Sequence, residues 1–256
     1  MVNFFFMDTS QQYGQSDFNL PHDVVELPSK GKLYKNKKSA LKVGYLTAQD
    51  ENILIGQVNS DMIISNLLRS KIYEPGFNVD ELIDGDVQAI LIFLRNTAFG
   101  PDYTFIIKDP KTGKDFEAIV RLDELNIDKP IHEPNEEGLF TTQLPKSNVS
   151  VKCKVLTMAD QREIEKMTKS YPNGMTVPVI TKRLEMMIVE IDGDRTREKI
   201  SSFINQMPIA DSKYVRTFIA QCEPKLDLTR KVTAPSGDTL EVSIGFGAEF
   251  FRPFYF

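Results

Sequence analysis

Hydrophobic and polar positions alternate most cleanly in two short stretches that lie far apart in the chain. In residues 41–46, Leu41, Val43 and Tyr45 fall on one side of an extended backbone, with Lys42 and Gly44 on the other. In residues 149–155, Val149, Val151, Cys153 and Val155 alternate with Ser150, Lys152 and Lys154. A period of two marks a strand with one buried face, so each stretch predicts a half-buried strand. Each is followed by Leu-Thr and then an acid, in LTAQD at 46–50 and LTMAD at 156–160. A Thr at this point can accept from an orphan N–H of a first helical turn, and an acid in that turn suits the helix dipole. Thr47 and Thr157 are therefore read as helix N-caps, with the first helix running from about 48. After Thr157 the period changes: Ile164, Met167 and Tyr171 fall at i, i+3 and i+7, the spacing of one buried helix face.

The repetition extends outward from these two stretches. LPSKGKLY at 27–34 precedes the first, and LPKSNVSV at 144–151 opens the second. Farther on, Gly113 and Gly237 each sit between two strand-like runs, YTFIIK and DFEAIV in one case and LDLTRKVT and TLEVSI in the other. These read as β-hairpins whose turn glycine supplies a positive φ. Ahead of each hairpin comes a helix that begins at an Asp and carries an Arg: DVQAILIFLR from Asp86 and DSKYVRTFI from Asp211. The distance from that Asp to the hairpin Gly is 27 residues in one copy and 26 in the other. Pairing the two IDGD stretches at 83–86 and 191–194 instead would demand a large insertion in the second copy.

The expected fold is α+β, with two tandem related modules, each an opening strand, several helices and a closing β-hairpin. The divisions are an N-terminal segment at 1–21, a first module at 22–130, a linker at 131–143 rich in Pro, Glu and Asn, and a second module at 144–256 ending in an aromatic tail. The alternative is chance similarity among short α+β segments, which repetition of order as well as content disfavours.

Composition narrows the class. A chain of 256 residues with 41% hydrophobic and 26% charged residues is ordinary for a soluble globular protein. No apolar run approaches the roughly 18–20 residues a membrane span needs. The opening MVNFFFMDTS is short and lacks a basic front, so it is not read as a signal peptide. Its phenylalanines suit either a core strand or a docking tail. The net charge of −5 argues against a nucleic-acid surface. Cys153 and Cys222 are the only cysteines, which is no disulfide framework and fits a reducing cytoplasm.

No constellation of residues points to catalysis. His22 and His132 lie beside prolines, without a nucleophile or a metal-spaced partner. GFG at 245–247 reads as a bend, and DGD at 84–86 and 192–194 as turns or helix caps, since a calcium loop needs further ligands in order. The run at 29–38 carries Lys30, Lys32, Lys35, Lys37 and Lys38 around Tyr34. It suits a solvated hairpin tip, a docking loop for an acidic partner, or a nucleic-acid contact. No catalytic, cofactor-binding or metal residue is assigned. The tail FGAEFFRPFYF at 246–256 holds five Phe, one Tyr and Arg252. Each exposed aromatic costs roughly 1.5–3 kcal/mol, so the tail must be buried somewhere. Pro253 disfavours helix, so an extended tail at a sheet edge or in a groove is expected. Either it packs on its own module, or Phe250, Phe251, Arg252, Phe254 and Tyr255 dock a partner.

Taken in order, several pieces resemble one known family. They are LPSKGKLY, LTAQDENIL, VDELIDGDVQAILIFLRNTAFGPDY, LPKSNVSVKCKVLTMADQREI, IDGDRTREKISSFINQMPIADSKYVRTFI and EFFRPFYF. Together the sequence resembles the baseplate hub and hub-assembly proteins of T-even-like contractile-tail bacteriophages. The resemblance implies a non-enzymatic role in building the tail, as a hub component or an assembly chaperone. The implied partners are other tail and baseplate hub proteins, with no nucleic acid or membrane. The implied location is the host cytoplasm during assembly, and the virion if the protein stays in the tail. Many members of that family carry a C-x-x-C-G knuckle at each hairpin turn, as in a zinc ribbon. Here the turns read DPKTG at 109–113 and TAPSG at 233–237, so the glycines remain and the cysteines do not. A degenerate zinc-ribbon-like pair without metal is expected, held by Phe105, Ile107, Phe116, Ala118 and Val120 in one hairpin and Leu240, Val242 and Ile244 in the other. The other readings are a non-viral adaptor or regulatory binding module, and an enzyme with no recognisable motif.

Overall fold

The computed structural model describes residues 21–55, 60–172 and 174–251. Among these, seven α-helices and eleven short strands make a mixed α+β fold in which every strand pair is antiparallel. β1 (His22–Glu26) pairs with β2 (Ala40–Gly44), and the tight turns at 27–39 lie between them. Leu41 and Val43 point into the core, as the alternation predicts. Three helices follow: α1 (Ala48–Ile55), α2 (Ser60–Lys71) and α3 (Asp84–Phe99). α3 is buried on most of its circumference, through Val87, Ile90, Leu91, Ile92, Leu94 and Arg95. A helix apolar on so many sides belongs at the centre of a core. β3 (Asp102–Lys108) and β4 (Asp115–Arg121) then form the first hairpin, and β5 (Ile127–Asp128) leads into the linker.

The second half begins with β6 (Phe140–Gln143) and β7 (Ser150–Cys153). They join β8 (Ile188–Ile191) in a three-stranded sheet of order β6-β7-β8. Between β7 and β8 run α4 (Met158–Ser170) and α5 (Val179–Met187). After β8 come α6 (Arg197–Gln206) and α7 (Ile209–Cys222). Two residues of β9 (Lys225–Leu226) pair with β5, and β10 (Thr229–Thr233) with β11 (Thr239–Ser243) closes the second hairpin.

The buried apolar side chains fall into two clusters. One takes Phe140, Val151, Cys153, Ile164, Leu184, Ile188, Ile200, Val215 and Phe218, so it lies within the second half apart from Ile83. The other centres on α3 and the β1–β2 pair, and it also takes Leu226, Val232, Val242, Ile244, Phe250 and Phe251. The second hairpin thus follows the second half in sequence but packs in the first core. Both hairpins feed that core: Ala118, Val120, Val242 and Ile244 are buried in it, while Phe105, Ile107, Phe116 and Leu240 pack against it half-exposed.

The crossing is close. A side chain at Gly85 would meet the carbonyl oxygen of Pro224 at 1.9 Å, so the segment after α7 can lie on the start of α3 only because Gly85 lacks one. The two halves are also joined by a β-bridge between Ile83 and Thr157 and by the N–H of Met158 donating to the Leu82 carbonyl at 2.8 Å. Arg162 reaches Asp80 across the same seam at 2.9 Å, where Arg69 of the first half already holds that carboxylate at 2.8 Å.

Candidate partner-binding site

Asp86 and Asp211 do not start their helices, contrary to the sequence reading. Each is the third residue of its helix, two places inside the start at Asp84 or Ile209. An acid in the first turn suits the dipole as well as a cap does, so the sequence signal does not separate the two positions. Both side chains turn back to the Leu-Pro loop that opens their own half. Asp86 accepts from the N–H of Ser29 at 2.9 Å, from the Ser29 hydroxyl at 2.6 Å and from the Tyr34 hydroxyl. Asp211 accepts from the N–H groups of Lys146 at 2.8 Å and Ser147 at 2.9 Å. Burial pushes the Asp86 carboxyl above its ordinary value, against the pull of the bonds from Ser29 and Tyr34. Burial, and then the charge of Asp86, push the Tyr34 phenol upward too.

The N-caps come out unequal. The Thr157 hydroxyl accepts from the N–H of Asp160 at 3.3 Å, and Asp160 accepts from the N–H of Thr157 at 2.9 Å, a full capping box. At Thr47 the N–H and the hydroxyl both donate to Asp50, each at 2.7 Å, as those of Thr157 donate to Asp160, but no helix N–H is seen donating to the Thr47 hydroxyl among the described residues.

The two hairpin tips meet. Gly113 and Gly237 hold φ of 67° and 89° in their turns. Asp109 accepts from the N–H groups of Lys111 and Thr112 in its own turn and from the N–H of Ser236 in the other, at 2.9, 3.1 and 3.0 Å. Lys111 pairs with Asp238 at 2.8 Å. Burial alone would raise the Asp109 carboxyl, but these donors hold it below its ordinary value.

The described part of the aromatic tail enters the first core. Ala248–Phe251 forms one 3-10 turn, not an extended segment, because the N–H of Phe250 folds back to the Gly247 carbonyl at 3.1 Å. Phe250 and Phe251 are fully buried. Phe250 meets the rings of Tyr103, Phe246 and Phe251 at 5.4, 4.9 and 5.0 Å. Arg95, itself buried, lies under this group. Its guanidinium faces Phe99, Tyr103 and Phe250 at 5.3, 5.5 and 6.0 Å and donates to the carbonyls of Gly100 and Asp102. A cation enclosed by ring faces is stabilised by their quadrupoles. Arg252, Phe254 and Tyr255 lie outside the described residues, as do the phenylalanines of the opening segment.

A family model described as T4 bacteriophage base plate protein matches residues 21–252. The chain belongs to this family of base plate proteins. No curated protein and no solved structure matches it. A base plate protein works among other phage tail proteins, and the family description names no enzyme. Among the described residues no helix is long and apolar enough to cross a membrane.

Other positions in this base plate protein have internal duties. The lysine run is tied to the linker and to the α2–α3 connection. Lys32 pairs with Glu133 at 2.6 Å, Lys37 donates to the Glu136 carbonyl at 2.8 Å, and Lys38 pairs with Glu74 at 2.6 Å. The two DGD stretches differ in kind. The first begins α3, and the second is a turn in which Asp194 accepts from the N–H and hydroxyl of Thr196 ahead of α6, holding its carboxyl down at about 2. His22 lies edge-on to Tyr73 at 6.4 Å, and the His132 ring lies against Phe218 at 4.8 Å. Cys153 and Cys222 are buried in the same core, where burial pushes both thiols up to about 12. Arg95 escaped the sequence reading as a site, although an Arg inside an apolar helical run is itself an unusual signal.

Proposed function

We propose that this base plate protein acts without catalysis in building the hub of the baseplate, as a hub component or as an assembly chaperone that binds other tail proteins. The observation that carries the reading is the family match over residues 21–252, joined to the ordered resemblance of its segments to hub and hub-assembly proteins. The two loop-to-helix aspartates, Asp86 and Asp211, support a chain of two related modules. Linked similar modules present two binding faces at high effective concentration. We read the paired hairpins as zinc-ribbon-like, with the bonds of Asp109 and the apolar faces holding what a metal holds elsewhere. A chelator should then leave the melting temperature unchanged, and a stoichiometric zinc would overturn that part.

The test of function uses infected cells. The protein is tagged, recovered from lysate with its associated proteins, and probed for in purified virions. Recovery with tail proteins and presence in the virion mark a hub component. Recovery with tail proteins but absence from the virion marks a chaperone. Normal tails from a phage lacking the protein would sink the proposal.

A further inference from the structure

A cleft of about 180 Å³ opens where α2, the start of α3 and the start of α4 meet. Ile64, Val87 and Met158 give it apolar walls, and Asp84 lies among them. Arg162 also lines the cleft, but it is engaged with Asp80 at 2.9 Å and Ser65 at 3.4 Å. Asp84 has no such partner. It accepts from the Gln88 side-chain amide at 2.8 Å, and among the described residues no cationic side chain makes an ion pair with it. Gln88, having turned its nitrogen to Asp84, leaves its own Oε1 buried without a donor.

A second carboxylate stands behind the first. Glu223, next to the Pro224 that lies on Gly85, is near enough to Asp84 to feel its charge. Burial pushes Asp84 upward. Burial, and then the charge of Asp84, push Glu223 up to about 7, with Asp86 adding to the push and Lys225 opposing it. The lining of the cleft carries two carboxylates, Asp84 and Glu165, against one cation, Arg162, which already engages Asp80. A donor-rich cation entering it gains charge-assisted hydrogen bonds and relieves repulsion already present. The apolar walls suit a long aliphatic stem with a charged head and not a hydrated metal ion, which keeps its waters.

We propose that the cleft receives a lysine or arginine side chain of a tail-protein partner, with the stem against Ile64, Val87 and Met158 and the cation on Asp84. The proposal rests on the proposed function only for the source of that side chain. A partner with an exposed basic residue also suits a chain of net charge −5.

The test titrates the isotope-labelled full chain with N-acetyl-lysine amide, N-acetyl-arginine amide and N-acetyl-norleucine amide, followed by NMR. The expected result is saturable shifts at the amides of residues 84–88 and 157–161 with the two cationic probes. Norleucine should bind roughly tenfold more weakly. Asp84→Asn should bring lysine down to the norleucine level, and Ile64→Trp, which fills the cleft and leaves the carboxylate, should abolish both. Equal binding of norleucine, an unchanged response in Asp84→Asn, the same shifts with magnesium alone, or no shifts with any probe would each overturn the proposal. None of these results bears on the virion and lysate experiment, so the two proposals fail separately.

Discussion

Asp86 and Asp211 occupy the same place in the two halves of the chain, yet they are held differently. Asp211 takes two backbone N–H groups and, among the described residues, no side-chain donor. Asp86 takes one backbone N–H and adds two hydroxyls, from Ser29 and Tyr34. The ion pairs behind the helix starts differ in the same sense. Lys71 and Asp50 are sealed, with side chains 5% and 4% exposed, whereas Lys154 and Asp160 are 31% and 16% exposed. The comparison teaches that one pattern of residues can serve one geometric purpose with different dependence on buried charge. The first half, covered by the returning C-terminal segment, carries the deeper electrostatics.

The largest effect should come from breaking the clamps themselves. Asp86→Ala leaves two hydroxyls and an N–H without their acceptor and should cost about 3–5 kcal/mol in denaturant unfolding. Asp211→Ala strands two N–H groups and should cost about 2–3 kcal/mol. Equal losses would erase the distinction. Next, Lys71→Met leaves Asp50 buried and unpaired and should cost about 3 kcal/mol, while Lys154→Met should cost under about 1 kcal/mol because water reaches that pair. Tyr34→Phe removes one of the three donors to Asp86 and should cost about 1–2 kcal/mol.

A smaller effect depends on pH. The Glu223 carboxyl, facing Asp84 and Asp86, is raised from 4.5 to about 7, so the folded protein binds its proton where the unfolded chain does not. That contribution is present below 4.5 and is lost as pH rises towards 7. Glu223→Gln should therefore be more stable than the parent above pH 7, with the gap closing in acid. A gap that widens in acid would reverse the assignment. The smallest contrast is in the caps. Thr157→Ala should cost about 1 kcal/mol and Thr47→Ala about half that, since only Thr157 accepts from its helix.

Strands, helix starts and hairpin turns were legible because they are local. Alternation at Leu41 and Val43, and at Val151 and Cys153, placed two strands, and the T-x-x-D signals placed two helix starts. Turn glycines placed both hairpins, since positive φ is a property of one residue. What stayed hidden is non-local. Periodicity says that Val242 and Ile244 have a buried face, but not that the face belongs to α3 instead of α7. Likewise the lysine run gives no sign that Glu133 and Glu74 will meet it, because ion-pair partners 36 and 101 residues away leave no local pattern. The cleft at Asp84 lies between elements from both halves, and no single stretch of sequence encodes its shape.

The return of the last hairpin to the first core sets an order of events during synthesis. Leu41 and Leu67 leave the ribosome well before Val242, Ile244 and Phe250, which complete their core. The second core holds nearly all its members between residues 140 and 222, so it can close while the chain is still growing. Contacts across some 200 residues close slowly, because the loop must be ordered before the contacts reward it. A chain released early therefore carries an open first core and an apolar surface that chaperones and proteases recognise. The crossing ties the first core to the synthesis of the last hairpin, so a copy cut short before that hairpin leaves its first core open.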